Sequence, residues 1–354
     1  MTPLDPKRIA EVDRSGMLGH VLSLWEQIPE AVPDERFTAL AGLAPRQIVV
    51  GGLGGSAIGG DLLRGVIGGE LPYSTPVTVV REYHLPRLER SGTLAILCSY
   101  SGETEETLSL YDDAAEQRLH RAVVASGGAL AVRASRDGVP LVLVPKGLPP
   151  RAAVGHLLGA MTAIVSTASG RSELAGSFAE TRSVLRSIAE RCAPGSAANP
   201  AVETAEALRG RILGVIAPGD PLGGVALRWK TQWNENAKAF AYDVTVPEMS
   251  HNEIVAWERL REEPLPLAFA ILRDAGEGAR EALRLDAARE MLDEAGVPVR
   301  EIRSEGSSRL ARILSLVLMG DLASVYLAVM RNVDPTPIAP IERLKNRLRG
   351  GVVA

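Results

Sequence analysis

The stretch Gln47-Ile48-Val49-Val50 runs straight into Gly51-Gly52-Leu53-Gly54-Gly55-Ser56-Ala57-Ile58-Gly59-Gly60-Asp61. A short apolar run thus gives way to a glycine-rich turn and then to a helical pattern. Such a turn brings bare backbone N–H groups to an anion, with a helix N-terminus behind them. A Walker-type phosphate loop is excluded, because no Gly-Lys-Ser/Thr occurs. The dinucleotide spacing Gly-x-Gly-x-x-Gly is not met from Gly52, whose third glycine position is Ala57. The next apolar run ends in Arg81-Glu82, which leaves a ribose-binding acid open.

Outward from this turn, apolar runs at 77–80, 94–98, 122–125 and 141–144 alternate with helical stretches at 57–66 and 103–117. Strands spaced by helices predict a parallel, doubly wound (flavodoxin-like) α/β sheet. Residues 6–43 read as two leading helices, and the chain turns helical again from Arg151 for about 50 residues. Residues 192–200, rich in Pro, Ala, Gly and Ser, are the best linker. Beyond them a second series follows, with strands at 212–217, 242–246, 267–272 and 299–302. Its helices lie at 222–240, 279–295 and 309–330, with a last one at 341–348. Two similar domains are expected, residues 1–190 with the phosphate-like loops and residues 191–354.

Composition narrows the class. The 354 residues, 46% hydrophobic and 23% charged, suffice for two packed domains. A net charge of −4 without like-charge blocks argues against nucleic acid and acidic membrane as partners. Cys98 and Cys192 make neither a disulfide framework nor a ligand set, and the polar start Met1 to Lys7 signals no secretion. A cytoplasmic protein is expected. The apolar window 313–330, broken by Gly320 and Asp321, reads as a buried helix. The chain's five histidines, His20, His84, His120, His156 and His251, are scattered, so no metal is expected. Only five of 39 basic residues are lysines: Lys7, Lys146, Lys230, Lys238 and Lys345. Such a commitment to arginine suggests that some lysines do what a guanidinium cannot.

The second strand-to-helix turn is more specific. After Leu94-Ala95-Ile96-Leu97-Cys98 come Ser99-Tyr100-Ser101-Gly102-Glu103-Thr104. One hydroxyl would cap the helix; Ser99, Ser101 and Thr104 around one glycine look like a cradle for phosphate oxygens, where open α/β sheets bind ligands. Glu103 and Glu105 must then point away. Arg151, held by Pro149 and Pro150, could add a cation or be an ordinary surface arginine.

The second half carries Trp229-Lys230-Thr231-Gln232-Trp233-Asn234-Glu235-Asn236-Ala237-Lys238. Apolar residues at steps of three and four predict a helix, with amide, carboxylate and ammonium groups crowded into its end. Glu235 reads as a proton-shuttling base, partly dried by Trp229 and Trp233 and oriented by Asn234, Asn236 and Lys238. His251 reads as its acidic partner. The alternative is a polar helix end packed between subunits. Ser250-His251-Asn252-Glu253 has the form of a capping box, which would put His251 in a first helical turn and favour neutral imidazole.

Taken in order, GGLGGSAIGGD, SYSGETEET, LPPRAA, RWKTQWNENAK, PEMSHNEI and DPTPIAPIERLK resemble the bifunctional phosphoglucose/phosphomannose isomerases of the sugar isomerase (SIS) superfamily over nearly the whole chain. The resemblance implies tandem SIS domains and a homodimer with sites between domains and subunits. It further implies interconversion of glucose 6-phosphate or mannose 6-phosphate with fructose 6-phosphate, without metal or cofactor. Carried over by position, Gly55, Ser56, Ser99, Ser101, Thr104 and Arg151 would hold the phosphate. Glu235 would be the base, His251 the ring-opening residue reaching across from the other subunit, and Lys345 a contact to the sugar. Thr336 matches a threonine tied to tolerance of either C2 configuration. SGET stands where SGNT is commoner, which puts phosphate affinity in question, and Met249-Ser250 replaces Leu-Asn. Other readings are a non-catalytic sugar-phosphate sensor, which would not need Glu235 and His251, and a nucleotide-linked Rossmann enzyme. A glutamine-dependent aminosugar synthase is not expected, because Met1-Thr2 stand where such an enzyme would need an N-terminal cysteine.

Overall fold

The computed structural model describes residues 5–30, 35–68 and 75–350. Residues 1–4 of the polar start and 31–34 of the leading helical stretch lie outside this description. Helices α1 (Pro6–Val12) and α2 (Met17–Leu22) precede two short 3-10 segments and then strand β1 (Gln47–Gly51). There follow α3 (Gly55–Ile67), β2 (Val77–Val80), β3 (Thr93–Ser99), α4 (Glu105–Glu116), β4 (His120–Ala125), α5 (Gly128–Arg136) and β5 (Leu141–Leu143). Helices α6 (Val154–Ser169), α7 (Ser172–Gly176), α8 (Phe178–Arg191) and α9 (Pro200–Leu208) lead to the second series. That series comprises β6 (Ile212–Pro218), α10 (Gly223–Asn236), β7 (Ala241–Val246), α11 (Glu253–Trp257), β8 (Leu267–Arg273), α12 (Ala279–Glu294), β9 (Val299–Arg303), α13 (Arg309–Met330) and α14 (Ala339–Gly350).

Two wholly parallel sheets result among the described residues, ordered β2-β1-β3-β4-β5 and β7-β6-β8-β9. This is the expected fold. Strands β1, β3 and β6 are near-continuous apolar runs because helices cover both faces of each sheet. In the first sheet the winding direction reverses between β1 and β3, so the turns after these two strands open into one crevice. Helix α5 (GALAVRASR) is not among the helices expected from the sequence, although Leu130, Ala131 and Ala134 recur on one buried face.

One apolar core runs from the first sheet to the second through α3, α6, α10 and α13. Smaller clusters cover the outer face of each sheet. Helices Pro150–Ser169 and Arg309–Met330 are apolar and long enough to cross a membrane, yet 83% and 94% of their apolar windows are buried inside the protein. They are core helices. Small residues permit the close approach at this junction: a Cβ at Gly224 would lie 2.8 Å from the Asp61 carbonyl carbon, and one at Gly320 would lie 2.3 Å from Trp229 Nε1. The Trp229 indole is fully buried, stacks on Trp233 and donates to the Leu316 carbonyl at 2.8 Å. Gly320→Ala therefore drives a methyl into a ring that cannot retreat. A loss of roughly 1–3 kcal/mol is expected in urea denaturation; a variant as stable as the parent would contradict the packing described.

Candidate active site

The turn after β1 and the turn after β3 lie side by side. A Cβ at Gly52 would stand 2.7 Å from the Cys98 carbonyl oxygen, and Ser56 Oγ accepts the Tyr100 N–H at 3.2 Å. Ser99 Oγ and Thr104 Oγ1 are 2.9 Å apart, Ser99 Oγ accepts the Gly102 N–H, and Ser101 Oγ accepts the Glu103 N–H. Ser56 and Ser99 are buried, while Ser101 is exposed. The structure thus brings Gly55, Ser56, Ser99, Ser101 and Thr104 together in one crevice. Gly102 has φ +71°, and a Cβ there would lie 1.9 Å from the Gly127 carbonyl oxygen, so this turn admits only glycine. Glu103 turns aside, its Oε1 accepting the Ala129 N–H at 2.9 Å in the first turn of α5. The added carboxylate is held by a helix N-terminus rather than aimed into the crevice.

Arg151 stands in the 3-10 turn Pro150–Ala153. The backbone of this turn closes on the first loop, for a Cβ at Gly55 would lie 3.2 Å from the Pro150 carbonyl oxygen. Its guanidinium is buried, at 5% exposure. Nε donates to Asn236 Oδ1 at 2.8 Å, and Nη2 donates to the carbonyls of Pro335 at 2.7 Å and Thr336 at 3.0 Å. Of the five N–H bonds of a guanidinium, only the two on Nη1 remain. Nη1 stands 3.6 Å from Glu235 Oε2. Arg151 therefore joins the glycine loop through its backbone and the Glu235 carboxylate through its side chain. As a surface cation it is excluded.

Asn236 is fully buried and donates from Nδ2 to Ser324 Oγ at 2.9 Å. One turn back, buried Gln232 precedes it, and a turn earlier Arg228 makes a two-pronged pair with Asp321, Nη2 to Oδ2 at 2.6 Å and Nε to Oδ1 at 3.0 Å. Arg228 Nη2 also donates to the Arg151 carbonyl at 2.9 Å. Burial pushes the Asp321 carboxyl upward and the Arg228 pair opposes this. At 100° per residue, Arg228, Gln232 and Asn236 form one polar stripe, and Trp229 and Trp233 face the core on the side away from Glu235. The two tryptophans consequently do not dry the carboxylate, whose side chain is 31% exposed. Arg228, Asp321 and Ser324 join this cluster in the structure, though sequence patterns do not single them out. Their one signal is the step of four in Arg228, Gln232 and Asn236.

Helix α10 ends at Asn236 rather than at Phe240, because Lys238 adopts the left-handed conformation (φ +49°). For a residue with a Cβ this costs about 1–2 kcal/mol. The Lys238 ammonium donates to the carbonyls of Glu235 at 2.7 Å, Pro335 at 2.9 Å and Asp334 at 3.0 Å. Burial, with Arg151 nearby, lowers it to about 8. Thr336 is drawn to the same place. Its N–H donates to Asp334 Oδ1, and its buried Oγ1 has no hydrogen-bond partner among the described residues. Asn234 instead caps the chain beyond the helix, accepting the Ala241 N–H.

Two residues are not brought in. His251 closes a 3-10 turn, Glu248–His251, is exposed, and makes no hydrogen bond or ion pair among the described residues. The expected capping box does not form: Asn252, not Ser250, caps α11, its Oδ1 accepting the Glu253 N–H at 2.7 Å. A 3-10 turn ends at His251 and Asn252 restarts the chain, so the histidine lies before the helix. Lys345 lies on α14, which is exposed from Ile341 to Leu348, including Ile341, Leu344 and Leu348. No grouping of three His, Cys, Asp or Glu suited to a metal occurs among the described residues.

Two doubly wound parallel sheets, with a hydroxyl-and-glycine crevice at the reversal point of the first, define a protein of tandem sugar isomerase (SIS) domains. Residues 197–348 match the model of the bacterial phospho-glucose isomerase C-terminal SIS domain. The solved structure of a hypothetical protein from Thermus thermophilus superposes with a TM-score of 0.73 at 18% identity, covering 98% of this chain and 93% of the other. A glucose-6-phosphate isomerase like protein from the same organism gives 0.63 at 22% identity, covering 98% and 99%. The bifunctional phosphoglucose/phosphomannose isomerase of Caldicellulosiruptor bescii is 36% identical over 304 residues, 85% of this chain and 89% of that protein. The chain belongs to the bifunctional phosphoglucose/phosphomannose isomerase family and is an isomerase.

The buried Arg228–Asp321 pair holds the Arg151 carbonyl, so breaking it should cost both fold and site. Arg228→Met, leaving Asp321 unpaired, is expected to lose about 3–5 kcal/mol in urea denaturation, and Arg228→Met with Asp321→Leu to recover most of it. Equal losses in the single and double variants would remove the pair from this account.

Proposed function

We propose that this isomerase interconverts glucose 6-phosphate and mannose 6-phosphate with fructose 6-phosphate through a cis-enediol, without a metal, and that Glu235 is the base. The observation that carries the reading is the double attachment of the Arg151 turn. Its backbone rests on Gly55 at the hydroxyl crevice, and its guanidinium meets the Glu235 carboxylate at 3.6 Å. A hexose held by its phosphate ester at one end therefore presents C1 and C2 to a carboxylate at the other.

In this reading the phosphate lies among Gly55, Ser56, Ser99, Ser101 and Thr104. Glu235 removes the C2 proton of the open aldose and returns it to C1, while a proton passes from O2 to O1. The two Nη1 N–H bonds of Arg151 face the oxygens on which charge develops, so its service is at this end of the sugar rather than on the phosphate. The unpaired Thr336 hydroxyl beside it suits a sugar hydroxyl at C2 or C3. His251 and Lys345, both exposed here, fit a homodimer in which the histidine opens the ring in the partner's site. The exposed Ile341, Leu344 and Leu348 of α14 would be covered there. We divide the chain at 1–190 and 191–354, the crevice in the first part and the base in the second.

Purified protein in EDTA is expected to convert fructose 6-phosphate to both aldose phosphates; activity lost on chelation and restored by zinc would refute this mechanism. Glu235→Gln should lower kcat by about 10²–10⁴ while sugar phosphate still binds, and near-normal turnover would eliminate Glu235 as the base. Ser101→Ala should raise KM more than it lowers kcat, the reverse result counting against the cradle.

A further inference from the structure

We propose that Lys238 is a positioning residue that latches the segment Asp334-Pro335-Thr336 against the Glu235 end of the site. This rests on the reading of Glu235 as the base and extends it to what keeps the surrounding wall in place. The latch is a convergence: one ammonium donates to three carbonyls, that of Glu235 on α10 and those of Asp334 and Pro335 on the segment. Three N–H bonds arranged tetrahedrally can meet three acceptors crowded on one side, whereas a planar guanidinium cannot. Here lies a task for one of the rare lysines in an arginine-rich chain.

The backbone supports the same conclusion. Lys238 sits just past the end of α10, where the left-handed conformation ordinarily calls for glycine or asparagine. A lysine there is strained, and its side chain supplies the compensating contacts. Arg151 grips the segment from the other side through the Pro335 and Thr336 carbonyls, so the Pro335 carbonyl is shared by both cations. Without Lys238 the segment keeps one anchor, and Thr336 is held only through Arg151.

The groups facing the ammonium are Arg151 from the 3-10 turn, Glu235 on its own helix and Asp334 on the segment. Arg331 at the end of α13, with Arg209 and Arg211, lines the groove it shares. Arg151 favours loss of its proton, as does burial, while Glu235 and Asp334 oppose it. The ammonium is lowered to about 8, so it is charged below that pH and gives up one of its three donors above it. Turnover should accordingly decline as pH rises through about 8.

Lys238→Gly relieves the backbone strain and removes the latch, which separates positioning from stability. The expected result is an unchanged or raised Tm, kcat reduced about 10-fold or more, faster amide exchange across 332–338, and no alkaline decline near pH 8. Lys238→Arg, which keeps the charge, should restore less than half of kcat. Turnover within twofold of the parent in Lys238→Gly, or unchanged exchange in that segment, overturns the proposal. So does full rescue by arginine. Glu235→Gln assayed alongside keeps the two readings apart: if it is inactive while Lys238→Gly is normal, the latch alone fails. If Glu235→Gln is fully active, the site reading fails and the latch, as a device serving that base, falls with it.

Discussion

Everything at the junction of the two sheets depends on a buried charge pair that could have been a liability. Arg228 and Asp321 sit between α10 and α13, at 1% and 3% exposure. Two ions removed from water are tolerated only if their geometry is good and their remaining hydrogen-bonding groups are met. Here the pair is two-pronged and, although its buried Nη1 has no hydrogen-bond partner among the described residues, the guanidinium also takes the Arg151 carbonyl. That last bond turns a cost of folding into an instrument. It fixes the turn that carries the second arginine, and the second arginine fixes the 334–336 segment and faces the carboxylate.

From that pair a polar chain runs outward through otherwise apolar packing. Ser324 holds Asn236, Asn236 holds Arg151, and Arg151 with Lys238 holds the carbonyls of Pro335 and Thr336. In a low-dielectric interior such a network rigidifies when its members are satisfied. Two groups near its outer end keep spare capacity, the Nη1 side of Arg151 and the hydroxyl of Thr336. Spare capacity at the outer end of this network suits a substrate that arrives and leaves.

The crevice of the first sheet is built on a different principle. It relies on close backbone approach and small hydroxyls, with glycines wherever a Cβ would strike a neighbour. The departure Glu103, which the motif pattern makes suspect, is drawn aside because α5 begins where its carboxylate can accept the Ala129 N–H. That helix is not among those read from the sequence, so its effect on Glu103 is not foreseen there.

Periodicity and turn composition alone determined both parallel sheets, the crossover helices α3, α4, α10 and α12 and the serine-rich turn after β3, since strand burial and helix starts are written locally. The same local pattern misplaces the end of α10, because nothing in Ala237-Lys238-Ala239 announces a left-handed lysine. Its cause lies in carbonyls nearly a hundred residues away. Likewise the capping motif around His251 looks sound in sequence, yet Asn252 wins the competition for the N–H. Which face of α10 meets the core, where Arg151 spends its donors, and how far Glu235 is shielded were decided only in three dimensions. Such questions depend on which partner is nearest in space, and spacing along a chain does not carry that distance.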